Sequence, residues 1–457
     1  MLGEASVGYT VAYPRPGWAE QDPRQWERAL APAIGQALER AGIEAGDVRA
    51  MGIAGQVDGC VAVDAGGEAT APCLIWMDRR ATDEMPALPG DVRARTGLVP
   101  DPGHMAAKIA WLERYRPGAA RYHQPVSYLV ARLSGDHVVD HALASTTMLY
   151  DLGTRDWAAD LLAAFAVNRA RLPRIADAWA PAGALHDAGA ALCGLPVGTP
   201  ICVGTGDDFA TPLGAGVTAP GVVACVIGTA EVVGALHPSP IIDAGALVET
   251  HAYPGGAWLV ENPGWLSGGA MAWLSTLVGD DFAALDRAAA SVPAGAHGVT
   301  FVPALSGAMA PRWIPSARGA LHGLTPAHGR GAVARAVMEG CAFAMRDVID
   351  RMRVLGVATD RILVLGGGAR SRAWAQMRAD LTGLPVEIAS GPDSCPLGAA
   401  VLAAVAGGLQ PDLATAAALL PGSAARLQPD SGAAAAMNAA YRAYQRLFAA
   451  LEPLWDE

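Results

Sequence analysis

Apolar runs that end on glycine set the strongest limit on how this chain can fold. Ile201-Cys202-Val203 leads into Gly204-Thr205-Gly206, Val222-Val223-Ala224-Cys225-Val226-Ile227 into Gly228-Thr229, and Ile362-Leu363-Val364-Leu365 into Gly366-Gly367-Gly368. Each run has the length and β-branched content of a buried strand. The glycines then allow a sharp turn or a close backbone approach at the strand end. Residues 48–54 and 299–302 read as further buried strands, residues 60–63 start another, and residues 7–13 alternate as an edge strand. Helical periodicity marks residues 25–42, with Trp26 and Leu30 on one face, and residues 108–115, 125–133 and 433–451. Such alternation predicts an α/β architecture.

With 457 residues the chain has room for two domains of roughly 200 residues each. Thr218-Ala219-Pro220-Gly221 separates two apolar runs, so the boundary is placed there, giving domains 1–218 and 219–457. A hydrophobic content of 52% against 17% charged residues provides for large cores. The net charge of -11 argues against nucleic acid or an anionic membrane as partner. The seven cysteines stand singly, with no CxxC pair, which speaks for reduced, buried thiols and against a zinc site. No charged-then-apolar leader opens the sequence, and the apolar stretch 397–408 is too short to span a bilayer. The expectation is a cytoplasmic, soluble protein; whether it is a homodimer stays open.

Several segments carry candidate chemistry. Asp207 and Asp208 follow the first glycine turn, where a fixed carboxylate can take a proton from a bound hydroxyl. An Asp pair that merely caps the next helix is the competing reading. Gly228-Thr229, between two strands, offers backbone N–H groups and a hydroxyl to phosphate oxygens, although ordinary hairpins also contain Gly-Thr. Gly366-Gly367-Gly368 precedes a helix starting near Arg372 and leaves room for an anionic ligand at its N-terminus. Neither GxGxxG nor GxxxxGK[ST] occurs, so dinucleotide and P-loop readings are disfavoured. Gly55-Gln56-Val57-Asp58-Gly59 can hydrogen-bond a polyhydroxy ligand or simply form an Asp-Gly turn. Trp76-Met77-Asp78-Arg79-Arg80 has the same ambiguity with a structural ion pair.

In order and spacing, these segments resemble the FGGY carbohydrate kinases, the family of xylulokinases and glycerol kinases. The likeness runs from about Tyr13 to Gly408. It is carried by Trp18-Ala19-Glu20-Gln21-Asp22-Pro23 with Trp26, Gly52-Ile53-Ala54-Gly55-Gln56, residues 75–80, and the Lys108, Trp111, Leu112 pattern. Ala310-Pro311-Arg312-Trp313 through Gly323-Leu324-Thr325 is closer to glycerol kinases, and residues 335–340 and 366–371 complete the set. The resemblance implies a two-domain, actin-like ATPase (ribonuclease H-like) fold, with ATP and sugar meeting in an interdomain cleft. It implies ATP and Mg²⁺ as cofactors, and a small polyhydroxy substrate phosphorylated on a terminal hydroxyl. By the same resemblance Asp207 is the general base, and Gln56, Val57, Asp58 and Asp208 face the sugar. Gly228 and Thr229 would hold the β/γ-phosphates, with Gly323, Gly367, Gly368 and Arg372 bordering the nucleotide; no metal ligand is assigned.

Departures from the family pattern are equally informative. Xylulokinases have Met-His where this chain has Val57-Asp58, and glycerol kinases have Arg-Glu there. Gln-x-Asp-Gly at this position is similar to erythritol-type kinases. Asp208 stands where an Asn or Gln is usual, and Ala308-Met309 replaces a Glu-Arg of the xylulokinase branch. These point to a pentulose or related small polyol, with an erythritol- or glycerol-type polyol kinase as alternative. Family members also open with a strand carrying an Asp-x-Gly-Thr turn, whereas this sequence begins at Met1-Leu2-Gly3-Glu4. The expectation is that roughly 20 residues of strand and turn are missing. A chain starting at Met1 would then fold poorly and lack kinase activity, or be a binding pseudokinase.

Overall fold

The computed structural model describes residues 1–390 and 393–455. It divides into two compact units: Met1–Thr218 with His251–Ala257 and Ser394–Leu420, and Ala219–Thr250 with Trp258–Asp393 and Pro421–Glu457. The break at Thr218 falls where Pro and Gly interrupt the apolar pattern. The units are nevertheless not contiguous halves, because a late helix, Ser394–Ala406, belongs to the first unit.

Small residues explain that assignment. Helix Ser394–Ala406 lies against helix Asp207–Leu213 with backbones in contact. A Cβ on Gly398 would stand 2.0 Å from the Ala210 carbonyl oxygen, and one on Gly214 would stand 1.8 Å from that of Ser394. On another side, a Cβ on Gly52 would meet the Ala399 carbonyl oxygen at 2.1 Å. Only glycine permits these approaches. The apolar stretch thus acts as a packing surface beneath the strand ends of the first unit.

In that unit the strands are short. Ala54–Gly55 pairs in parallel with Thr205–Gly206, and Met51 bridges Ile201. Residues 48–54 therefore form less strand than their apolar pattern predicts. Residues 7–13 form none: Ala12 bridges Glu20, but an alternating pattern becomes a strand only beside a partner. Tyr9 and the segment Met51–Gly55 line one apolar groove, with Trp26, Leu30, Ile34 and Val126. Helix Pro23–Ala41 matches the predicted span, capped by Asp22 and ended by Gly42 in the left-handed region. Asp78 and Arg80 form a buried ion pair, with the Arg80 guanidinium 3.7 Å from the Trp18 ring centre, so the structural reading of residues 76–80 holds for these two.

The second unit is built on a seven-stranded mixed sheet. Its order is Glu249–Ala252, Trp258–Leu266, Ala230–His237, Gly221–Ile227, Thr359–Leu365, Val386–Ala389 and Ser423–Leu427. The central strands Gly221–Ile227 and Thr359–Leu365 run parallel, with Val226 opposite Leu365, and are the continuous apolar runs expected of a sheet covered on both faces. Helix Arg330–Val354 lies in the same core, with Phe343, Met345 and Ile349 buried. Helix Ser431–Leu451 contributes Met437, Tyr441, Tyr444 and Phe448, spaced four, three and four residues apart on one face. No helix among the described residues is long and apolar enough to cross a membrane.

Substituting Gly398→Val should therefore separate the two helices of the first unit. We expect a loss of about 3 kcal/mol, read as a lower urea midpoint. An unchanged midpoint would show that the backbones can part without cost.

Candidate active site

Asp207 and Asp208 open the helix Asp207–Leu213 directly after the strand Thr205–Gly206. The helix is capped by Gly206 and has no side-chain cap, so the Asp pair occupies the first turn and does not serve as its N-cap. Gly204, at φ +76°, makes this geometry possible, since a Cβ there would lie 2.3 Å from the Ile53 carbonyl oxygen. Behind the turn, the Thr205 hydroxyl donates to Asp140 Oδ2 at 2.7 Å, and Asp140 caps its own helix through the amides of Ala142 and Leu143. Burial pushes the Asp140 carboxyl up to about 7 against those hydrogen bonds.

The Gln56-Val57-Asp58 segment joins the same site. Val57 lies against Gly206, where an added Cβ would meet its Cγ1 at 2.7 Å, and Gln56 Nε2 donates to Gln21 Oε1 at 2.6 Å. Asp58 has φ +56° and is fixed at three points. Its N–H donates to Gln124 Oε1 at 3.0 Å, its carbonyl accepts from Lys108 Nζ at 2.7 Å, and Oδ2 lies 3.2 Å from His104 Nδ1. Burial opposes ionisation of Asp58, but His104 and Lys108 outweigh it and hold the carboxyl below its usual range. The Asp208 carboxyl is raised, first by burial and then by the charges of Asp207 and Asp58. Three carboxylates thus share one region. Tyr9 belongs to it as well, its phenol raised by burial and by Asp207. So does His251, whose ring meets Phe209 edge-on at 5.8 Å and whose imidazole is lowered to about 4 by burial.

Two glycine turns of the second unit lie side by side at the carboxyl ends of its central parallel strands. Gly228-Thr229 is an exposed turn between Gly221–Ile227 and Ala230–His237. Gly366 follows the neighbouring parallel strand and approaches the Ile227 carbonyl so closely that a Cβ would lie at 2.7 Å. Gly367 and Gly368 form a short 3₁₀ turn before helix Arg372–Thr382, whose first residue, Arg372, is exposed and whose N-cap is Ser371. A second helix start, missed from sequence, meets the same turn: the amides of Ser267 and Gly269 donate to the Thr229 carbonyl at 3.2 and 2.9 Å. Loop backbone at the carboxyl ends of adjacent parallel strands is a general site for phosphate-bearing ligands. Gly323 lies apart in sequence and sheet, after strand Ala320–His322, against the Gly298 carbonyl.

Sequence reasoning overlooked His104, His251, Tyr9, Gln124 and Asp140. His104 sits four residues before Lys108 on the approach to a helix, which is the one local signal that could have flagged it. The others lie far from residues 55–59 and 203–208 in sequence and reach Asp58, Thr205 and Asp207 only through folding.

Replacing Lys108 with Met should leave the buried carbonyls of Asp58 and Gly103 without their donor. The expected loss is about 2–4 kcal/mol by chemical denaturation; a neutral result would show that the Asp58 loop is held without it.

Comparisons with known proteins bear on the whole chain. Residues 1–214 match the model of the FGGY family of carbohydrate kinases, N-terminal domain, and residues 223–407 that of its C-terminal domain. A xylulose kinase of Escherichia coli is 33% identical over 408 residues, covering 87% of this chain and 84% of its own length. A glycerol kinase of Alkalilimnicola ehrlichii is 35% identical over 437 residues, covering 90% and 86%. Among solved structures, a kinase of Brucella ovis described as a xyloylose kinase superposes with a TM-score of 0.91 at 29% identity, covering 98% of this chain and 94% of its own. A xylulose kinase of Rhodospirillum rubrum gives 0.89 at 29% identity, covering 99% and 94%.

Proposed function

The chain belongs to the FGGY family of carbohydrate kinases, and from that premise we propose that it phosphorylates a terminal hydroxyl of a pentulose or similar small polyol, with Asp207 as general base. The family makes it an ATP-dependent sugar or polyol kinase with the two-domain actin-like α/β fold. The observation that carries the finer reading is the placement of Asp207 at a strand end, beside Asp208, in a region that Asp58 and His104 also line.

Asp207 takes the proton of the attacking hydroxyl. That oxygen bonds to the γ-phosphorus as the bond to the departing ADP oxygen breaks, so little covalent work is left for the protein beyond positioning. Asp208, with its raised carboxyl, keeps a proton further up the pH scale than an ordinary carboxylate. It can donate to a substrate hydroxyl, as an amide at this position would. Asp58 remains ionised beside His104 and accepts hydrogen bonds from neighbouring hydroxyls.

For ATP, the residues fit: Gly228 and Gly367 are exposed, and no heavy atom lies within 3.6 Å of where a Cβ would stand on either. The Thr229 hydroxyl and the backbones of Gly228, Thr229, Gly367 and Gly368 would hold phosphate oxygens, with the Arg372 guanidinium bordering them. Gly323 would border the base side. Mg²⁺, held largely by phosphate oxygens and water, supplies neutralising charge when bound.

Asp58, in place of an imidazole, favours a second reading as an erythritol- or glycerol-type polyol kinase. A substrate panel separates the two, and Asp58→His should move preference towards ketoses if this position sets it.

Two outcomes test the central reading. Asp207→Asn should lower turnover by about 10³-fold or more while sugar binding, read by calorimetry, stays near wild type; full activity would refute the base assignment. As pH rises, Asp208 ionises, stops donating and adds charge beside Asp207, so kcat/KM should fall on the alkaline side. Asp208→Asn should flatten that limb, and an unchanged profile would remove Asp208 from the substrate contacts.

A further inference from the structure

Beneath the Gly228-Thr229 turn lies an ion pair that the proposed chemistry leaves unused. Glu231 and Arg378 have fully buried side chains, and Arg378 Nη2 donates to Glu231 Oε2 at 2.6 Å. Ser267 Oγ donates to the same oxygen at 2.7 Å. The arrangement is poorly suited to stabilising the core. Desolvating two charges is costly unless every polar atom is satisfied, and Glu231 Oε1 and Arg378 Nε have no hydrogen-bond partner. A packed apolar pair would serve a core at least as well. Its placement accounts for it better.

Each member belongs to a different wall of the turn. Glu231 is two residues beyond Thr229 on the returning strand, opposite a bulge in strand Trp258–Leu266 where Gly264 closes on the Glu231 carbonyl. Ser267 grips the turn twice: its amide donates to the Thr229 carbonyl while its hydroxyl donates to Glu231. Arg378 comes from helix Arg372–Thr382, which begins just after the Gly366–Gly368 loop, and its guanidinium sits 4.7 Å from the Trp374 ring centre. Trp374 in turn lies under Gly368, 3.4 Å from where a Cβ would stand. The pair therefore joins the hairpin turn, the start of helix Gly268–Val278 and the glycine loop. Because the charges cancel, the anionic Glu231 sets no net repulsion against a phosphate bound above it.

We infer that Glu231, Arg378 and Ser267 form a buried clamp that positions the Gly228-Thr229 turn and the glycine loop for a nucleoside di- or triphosphate. This rests on the reading of that turn as the phosphate holder. None of the three touches the nucleotide; they are positioning residues that act through Thr229 and Gly368.

The test measures ADP affinity in the presence of Mg²⁺ by calorimetry, with KM for ATP and KM for the sugar, on Ser267→Ala, Glu231→Gln and Thr229→Ala in the full chain. Ser267→Ala removes only a hydroxyl and carries the test if Glu231→Gln does not fold. The clamp predicts that both weaken ADP about tenfold, as losing a hydrogen bond to a charged group would. KM for ATP should rise while KM for the sugar holds. Wild-type ADP affinity in folded Ser267→Ala and Glu231→Gln, with Thr229→Ala weakened, would overturn the clamp alone. Wild-type affinity in Thr229→Ala as well would overturn the phosphate-turn reading and the clamp with it.

Discussion

Close approach of backbone to backbone at glycine is the constraint on which the rest of this structure depends. In the first unit, Gly398 and Gly214 bring helix Ser394–Ala406 against the helix that begins at Asp207, and Gly52 seats the neighbouring strand segment on the same helix. In the second, Gly366 closes on the Ile227 carbonyl and Gly268 on that of Gly228, where a Cβ would stand 2.2 Å away. A side chain at any of these positions would push apart the segments that bear the candidate chemistry. The glycines at strand ends are thus packing contacts as well as turn formers.

Electrostatics divides along the same lines. Around Asp58, Asp207 and Asp208 the chain concentrates negative charge beside His104 and its single lysine, so that the Asp58 and Asp208 carboxyls are shifted in opposite directions. On the reading proposed above, one accepts and one donates, as recognition of a polyol requires. Under the Gly228-Thr229 turn the Glu231 and Arg378 charges are paired and cancel.

Much of the fold was legible wherever a segment's pattern was decisive by itself. The helices at 25–42, 108–115, 125–133 and 433–451 and the strands at 222–227 and 362–365 all appear close to their predicted bounds. Residues 7–13 misled, because alternation records a preference that only a partner strand can realise. The stretch 397–408 stands out in sequence by its hydrophobicity, yet Gly398 and the alanines beside it matter for how closely two backbones can pack. Of the site, Asp58, Asp207 and Asp208 stood out because they sit on glycine-bounded turns. His251, Gln124 and Asp140 did not, since nothing local distinguishes them from other buried polar residues.

What the sequence by itself determined is the family, the order of strands and turns, and the types of residue available for proton transfer and phosphate contact. These are local or sequential properties, carried by spacing and by the conformational range of glycine. Only the tertiary structure decided which carboxylate stands beside which. Asp58 and Asp208 are 150 positions apart in the chain, and the Asp58 charge raises the Asp208 carboxyl only because folding buries them in one region. It also decided that a helix after residue 393 completes the first unit, and that Glu231 meets Arg378. Burial and distance fix those energies, and neither is a property of a residue until the chain has folded around it.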